Sequence, residues 1–346
     1  MGYGLAGSVF HAPLVAAAAD TTVAAIVTAD EQRGRDAARR HPGAEILTST
    51  DEVWARADQL DLVVVAAPNR AHVPLGLTAL EAGLPVVIDK PVATSADGAR
   101  LLADAGRAAG LPVVPFHNRR WDADVLTLQR LIGEGALGDV LRFESRFERW
   151  RPEPRAGSWR ELGSPEDGGG VLLDLGIHLI DQALMLFGPV ESVYAEVMRR
   201  RPGVVTDDDV FVALKHAGGV TSHLWAAHTA AQPGPRLRVL GSRAAYVKWG
   251  LDGQEQALRD GGDPAAAEWG REPRESWGLL GAGHDAAPVR SEPGCYPRFY
   301  ERVAAAVRGD GPPPVSLDDA AAGLAIAGAA AESSRSGRVI RLADRS

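Results

Sequence analysis

The chain has 346 residues, 45% of them hydrophobic, and a formal net charge of -8. That length suggests about two domains with full cores and excludes a disordered chain. The acidic balance argues against nucleic acid or an anionic membrane surface as the main partner, and a single cysteine, Cys295, excludes a disulfide framework or a cysteine zinc cluster.

The chain opens with "MGYGLAG", in which Gly2, Gly4 and Gly7 match G-x-G-x-x-G. Glycines at this spacing let backbone approach a pyrophosphate at a helix N-terminus, so Gly2, Gly4, Leu5, Ala6 and Gly7 are candidate dinucleotide contacts. The fingerprint should follow a strand, but only Met1 stands before it. The expectation is a further strand upstream, roughly eight to twelve residues ending in a β-branched run just before Gly2. Four short apolar runs follow, at 21–28, 61–68, 84–91 and 111–116, with helical patterns at 30–41, 71–82 and 95–109. Continuous apolar strands alternating with helices predict a doubly wound parallel sheet over residues 1–118.

Ligands bind at the carboxyl ends of such strands. After the second strand stand Thr28, Ala29, Asp30 and Arg33. Asp30 would favour NAD by bonding a ribose hydroxyl, Thr28 with Arg33 could hold a 2′-phosphate, and Asp30 could equally cap the next helix. Pro68, Asn69 and His72 would line the nicotinamide side. Lys90, one of only three lysines, follows Asp89 at another strand end, before Pro91. An ammonium there can bond a substrate oxygen and stabilise a developing alkoxide.

After "FHNRRWD" (116–122) the rhythm changes. A helix is expected at about 123–134, then a period-two strand in "GDVLRFESRFERW", then a buried helix over 170–187. Five strand patterns follow between 192 and 250, a loop region over 252–294, and two closing helices. Residues 119–346 therefore read as an α+β domain with a large, mostly antiparallel sheet. The buried helix is apolar almost all round, yet Asp174, His178 and Asp181 fall on one stripe. Burying charge costs several kcal/mol, roughly, unless it is paired. The stripe is either a satisfied network or a proton-handling set facing a cleft. No second His or Cys is spaced to complete a metal site, so no metal is expected. Without a membrane-length apolar run or a basic signal region, a cytoplasmic location is expected.

"GYGLAG", "APNRAHVPL", "VVIDKP", "FHNRRWD" and "GGGVLLDLGIHLIDQALMLFG" together resemble the Gfo/Idh/MocA oxidoreductases, the family of glucose-fructose oxidoreductase and inositol dehydrogenase. Finer stretches, among them "FERWRPEPR", "SWREL" and "PGCYPRFY", resemble the subgroup with NADP-dependent scyllo-inositol dehydrogenases. The resemblance implies a Rossmann domain and a C-terminal α+β domain whose open sheet supports dimers or tetramers. It implies a catalytic set of Lys90, Asp174 and His178, and a substrate contact at Arg119. Asn118 and Trp159 are further candidates for holding hydroxyls. Asp89 stands where the family usually has Glu, and Ala29-Asp30 where the subgroup tends to have a Ser-Arg type pair. The expected activity is an NAD(P)-dependent dehydrogenase of a cyclitol or sugar, with a slight lean to NADP. Its rivals are a dehydrogenase of an anhydro- or amino-sugar and a non-catalytic sugar and dinucleotide sensor.

Overall fold

The structure is a computed structural model. It describes all residues except 155, 156, 158, 163–166 and 343–346, and not the side chains of 159 and 160. The chain forms two compact units. The first comprises Met1–Trp121, Gly253–Trp269 and Cys295–Ala321, and the second comprises Asp122–Asp252, Gly270–Gly294 and Ala322–Ser346.

The first unit carries five short parallel strands in two groups. β1 (Ala25–Val27) pairs with β2 (Glu45–Leu47). Separately, β3 (Val63–Val65), β4 (Val86–Asp89) and β5 (Val113–Phe116) lie in that order. β2 has no counterpart among the sequence-predicted runs, because "EIL" is too short to stand out. Met1 and Gly2 bridge the two groups. The amine donates to the Val64 carbonyl at 2.5 Å, the Met1 carbonyl accepts from Ala66 at 2.8 Å, and the Gly2 amide donates to Val27 at 3.0 Å.

The helices Glu31–Arg40, His72–Glu81 and Ala96–Ala109 stand where the patterns place them. Asp30 and Ser95 cap the first and third by accepting from Arg33 and Gly98. The unit also takes in the helix Pro297–Arg308, beyond the residues expected from the β/α rhythm. Phe299 and Tyr300 of that helix pack with Phe116 and Trp121 in one aromatic core.

The second unit is built on a nine-stranded sheet. Its strands are β6 (Val140–Glu148), β7 (Val190–Met198), β8 (Asp209–His216), β9 (Thr221–Ala227), β10 (Leu237–Gly241), β11 (Ala245–Lys248), β12 (Gly278–Gly281), β13 (Ala287–Val289) and β14 (Ile340–Arg341). Their order is β13-β12-β11-β10-β6-β9-β8-β7-β14, with only β6 and β9 parallel. The region 252–294 is therefore not all loop, as expected. It contains a short helix, Gln254–Arg259, and the hairpin β12–β13 that extends the sheet. The apolar signal there is weak because β12 is rich in glycine.

Alternation along β6, β8 and β9 turns Phe143, Phe147, Val210, Val212 and Leu224 to one face. Leu175, Leu179, Ile180 and Ala183 of the buried helix cover that face. Ile326, Ala329 and Ala330 of the helix Leu317–Ser336 belong to the same cluster. Among the described residues no helix is long and apolar enough to cross a membrane.

Candidate active site

The glycine loop is made by close backbone approach. Gly2 has φ +96°, and a Cβ there would lie 2.5 Å from the Ala66 carbonyl. A Cβ on Gly7 would lie 2.1 Å from the Gly2 carbonyl. Any side chain at either position would force the loop off the end of β3. Gly4 differs: a Cβ there would meet only the Arg33 guanidinium, at 4.0 Å. Its bare surface is the approach a pyrophosphate needs, and the loop runs into a helical segment over Ala6–Ala17, whose N-terminus is the kind of helix start that favours an anion. Leu5 and Ala6 stand at that N-terminus, with Leu5 half exposed. The residues thus fit a dinucleotide. The segment begins as a π turn, Ala6–His11, where the sequence pattern predicts plain α-helix.

Beyond β1, the Thr28 hydroxyl accepts from the Asp30 amide at 3.3 Å. Asp30 caps the helix through Arg33 at 2.9 Å, and this backbone bond first, then the Arg33 charge, holds its carboxyl below the usual range. Its second oxygen lies 3.8 Å from Arg33 Nε. The capping alternative thus describes Asp30, and Arg33 is the side chain that reaches over the loop.

Pro68 is exposed and Asn69 buried at the end of β3. His72 is fully buried, with Nδ1 2.8 Å from the Pro91 carbonyl and Nε2 2.9 Å from the Ala67 carbonyl. Both ring nitrogens face backbone, so His72 ties the β3 loop to the Lys90–Pro91 turn and is a positioning residue. Lys90 precedes a cis peptide bond and is half-buried. Its amide donates to Asp89 at 2.8 Å.

Asp89 leads to residues the sequence did not single out. His11 Nε2 lies 3.7 Å from the Asp89 carboxylate, and His11 Nδ1 lies 2.6 Å from the Tyr300 hydroxyl. The 3.7 Å contact with Asp89 is longer than a hydrogen bond, whereas the contact of Nδ1 with the Tyr300 hydroxyl is within hydrogen-bond range. Burial pushes the Asp89 carboxyl up, but His11, Lys90 and His72 outweigh it and hold it below the usual range. Tyr300 is raised well above the ordinary phenol by burial and by Asp89.

Arg119 is buried and paired with Glu255, with Tyr296 Oη 3.4 Å away. Asn118 is buried in the same short helix, Asn118–Trp121. Trp159 begins the turn Trp159–Leu162, and its side chain lies outside the described residues.

In the second unit the polar stripe does not start as an α-helix. Leu172–Gly176 is a π turn and Ile177–Phe187 continues as α. Wider turns shift Asp174 off the simple i, i+4 stripe. Asp174 is half-buried, whereas His178 is 5% and Asp181 3% exposed. The segment is pinned at its start. Gly170 has φ +90°, and a Cβ there would lie 2.0 Å from Asp207 Oδ1. Asp207 Oδ2 accepts from the Leu172 amide at 2.7 Å, and burial pushes Asp207 up to about 6. The π turn packs on the end of β9, where a Cβ on Gly176 would meet Ala226 at 4.0 Å.

Two residues beyond Ala226 stands His228, a second ionisable group unmarked by any sequence spacing. It is 4% exposed. Its Nδ1 faces the Arg201 guanidinium at 3.3 Å, and its Nε2 has no partner among the described residues. Arg201 is itself held by Asp208 at 2.9 Å and Glu161 at 3.3 Å. Burial, then the charges of Arg151 and Arg201, lower His228 to about 4, against the smaller opposing pull of Glu161 and Asp174. It is neutral near pH 7, with Nδ1 accepting and Nε2–H left to donate. Among the described residues no group of three or more His, Cys, Asp or Glu is arranged to hold a metal ion.

Residues 1–117 match the oxidoreductase family with the NAD-binding Rossmann fold, and 125–247 match the Gfo/Idh/MocA C-terminal domain. The chain belongs to the Gfo/Idh/MocA oxidoreductases. It is 34% identical to the scyllo-inositol 2-dehydrogenase (NADP(+)) IolW of Bacillus subtilis (strain 168), over 99% of this chain and 94% of that protein. It is 37% identical to the uncharacterized oxidoreductase YdgJ of Escherichia coli (strain K12), over 92% of this chain and 91% of that one. The solved structure of the yvaA oxidoreductase of Bacillus subtilis superposes with a TM-score of 0.90 at 33% identity, over 99% and 96% of the two chains. The family, its oxidoreductase class and its two-part α/β fold thus match the expectations drawn from the motifs.

Proposed function

We propose that this oxidoreductase passes a hydride between a nicotinamide dinucleotide and a ring carbinol of a cyclitol or sugar, with scyllo-inositol the first candidate substrate. The observation that carries this reading is the buried segment bearing Asp174 and His178, packed on the strand end that leads to His228. His178 takes the hydroxyl proton in oxidation and returns it in reduction. Asp174 orients the imidazole and stabilises its charged form. Lys90 bonds the reacting oxygen and offsets its developing charge. His228, kept neutral, offers Nε2–H to a neighbouring hydroxyl. Asn118, Arg119 and Trp159 hold the remaining hydroxyls, with Arg119 presented by Glu255. Bound nicotinamide supplies the hydride acceptor or donor. The His11–Asp89 pair fixes the backbone that carries Lys90.

Arg33 with Thr28, beyond the end of β1 where the adenosine ribose would lie, favours a 2′-phosphate, so NADP is the preferred cofactor of this reading. A sensor that had lost catalysis would have no use for three proton carriers. The outward face of the large sheet presents Arg146 stacked 3.9 Å over Trp225, next to Phe211 and His223, and supports a homodimer or homotetramer. A cytoplasmic setting fits the single cysteine.

The test is a panel of cyclitols and sugars with NAD⁺ and NADP⁺, followed by absorbance of the reduced nicotinamide. The highest kcat/KM is expected for scyllo-inositol with NADP⁺. Preference for an anhydro- or amino-sugar would move the substrate within the class, and no turnover of any polyol would contradict the reading.

A further inference from the structure

The second unit gathers three consecutive acids, Asp207, Asp208 and Asp209, at the start of β8, which lies between β7 and β9 in the sheet. Asp209 begins the strand and accepts from Arg200 Nε at 3.0 Å. The other two have partners of a different kind, and the proposed chemistry gives neither a role.

Backbone fixes them first. The Asp208 amide donates to the Met198 carbonyl at 3.0 Å, and the Asp208 carbonyl accepts from the His228 amide at 2.9 Å, so the pairing to β7 and β9 runs on past Asp209. Neighbouring side chains on an extended chain turn opposite ways. Asp207 goes to the segment that carries Asp174 and His178. Its carbonyl accepts from the Val171 amide at 3.0 Å, and its carboxylate accepts from the Leu172 amide at 2.7 Å. A helix start leaves such amides without an intrahelical acceptor and favours an anion beside them. Gly170 makes room for the carboxylate, and its own carbonyl accepts from the Asp174 amide at 3.0 Å. One residue separates the held Leu172 from Asp174.

Asp208 goes to Arg201. Its carboxylate accepts from the amides of Arg200 and Arg201, at 2.7 and 3.0 Å, and from Arg201 Nε at 2.9 Å. Arg201 turns Nη2 to His228 Nδ1 at 3.3 Å. Asp208 thus holds His228 twice, once at its amide and once through Arg201 at its ring. Placing two carboxylates side by side is unfavourable. Burial first, with a smaller push from the Asp208 charge, raises Asp207 to about 6 against the bond from the Leu172 amide. Capping a helix start alone needs only one of these acids.

We infer that Asp207 and Asp208 are positioning residues that set the two histidines of the second unit from adjacent points on the chain. Asp207 fixes where Asp174 and His178 stand. Asp208, through Arg201, fixes the ring orientation and tautomer of His228. Resting on the roles proposed for His178 and His228, this separates two neighbouring acids by kinetic constant: loss of Asp207 lowers kcat, and loss of Asp208 raises substrate KM.

The experiment compares Asp207→Ala, Asp207→Asn, Asp208→Asn and Arg201→Lys with the parent chain, with thermal unfolding and dinucleotide Kd read on each to check folding. Asp207→Ala is expected to lower kcat at least about tenfold with KM within about threefold, since misplacing a reacting group by about 1 Å can cost about 10²-fold. Asp207→Asn keeps an oxygen for the Leu172 amide and should recover kcat to within about threefold of the parent. Asp208→Asn should raise KM by about threefold to tenfold with kcat within about threefold. Arg201→Lys keeps a cation for Asp208 and Glu161 but loses the fork that reaches His228, and should do the same. Nitrogen NMR of the histidine rings needs no substrate and reads the Asp208 arm directly. His228 is expected as one tautomer, protonated on Nε2, in the parent and as a mixture in Asp208→Asn and Arg201→Lys. Equal changes of kcat and KM in the variants of both acids, or no recovery in Asp207→Asn, overturn the inference. Full kcat in Asp207→Ala beside a crippled His178→Ala overturns the Asp207 arm alone, and full kcat in both overturns the proposed chemistry with it. An unmoved His228 signal in both Asp208→Asn and Arg201→Lys overturns the Asp208 arm. A moved signal with unchanged KM upholds the hold on His228 and overturns the substrate role proposed for that ring.

Discussion

The two units prepare their halves of the proposed chemistry by different means. The first presents backbone: a loop closed by Gly2 and Gly7, a bare surface at Gly4 and the amides of a helix start. The second presents side chains: Asp174 half-buried, His178 and His228 buried, and His228 beside Arg201, which is held by Asp208 and Glu161. A dinucleotide has a constant pyrophosphate, which backbone amides recognise without help from side chains. Moving a proton needs a titratable side chain that can gain and lose it, with a proton affinity tuned by burial and by neighbouring charges. Binding and chemistry should therefore separate cleanly on mutation.

Lys90 is where this separation is most exposed to failure, because it is a side chain of the first unit with a proposed chemical role. Lys90→Met is expected to lower kcat by roughly 10²–10⁴-fold and leave dinucleotide Kd within about threefold. Titrating the dinucleotide alongside steady-state kinetics checks it. A raised Kd with unchanged kcat would move Lys90 to the binding side of the comparison.

His228 sharpens the contrast inside the second unit. His228→Gln should raise substrate KM by about tenfold, the worth of a buried hydrogen bond, and change kcat less. It should also alter stability against pH. With its pKa lowered to about 4, the folded chain refuses a proton that the unfolded chain takes up below 6.5. Stability is then full above about pH 6.5 and falls toward pH 4, by up to about 3 kcal/mol. Asp207, raised to about 6, has the opposite sign and favours the fold as pH falls through that value. Denaturant unfolding across this range should show a flatter acid limb in His228→Gln than in the parent at pH 4 to 6.5. Parallel curves would place the acid sensitivity elsewhere.

The smallest effect expected is in cofactor choice. Asp30→Ser keeps a capping oxygen and removes a negative charge beside Arg33. The ratio of kcat/KM for NADP⁺ over NAD⁺ should rise by about threefold to tenfold. An unchanged ratio would make Asp30 a cap alone.

The same contrast explains what the sequence disclosed. Gly2, Gly4 and Gly7 are legible because one short stretch makes the whole loop. The helices over 31–40, 72–81 and 96–109 are legible because their caps and apolar faces are local. The large antiparallel sheet follows from period-two alternation in β6 to β9. His228 gave no signal, because its neighbours come from residues 151, 161, 174 and 201, and their meeting is a property of the fold. His11 and Tyr300 were hidden for the same reason, nearly the whole chain apart. The π turn at Leu172–Gly176 also escaped, since its apolar residues suit α-helix equally well. The strands β12 and β13 were lost to a region whose composition reads as loop.

The account rests most heavily on His178 as the group that moves the proton while the first unit binds the dinucleotide unaided. His178→Ala, measured by dinucleotide titration and by single-turnover reduction of nicotinamide with the best substrate of the panel, tests both halves together. The account predicts an unchanged Kd and a turnover rate lower by roughly 10²–10⁴-fold. A turnover rate equal to that of the parent chain would contradict it.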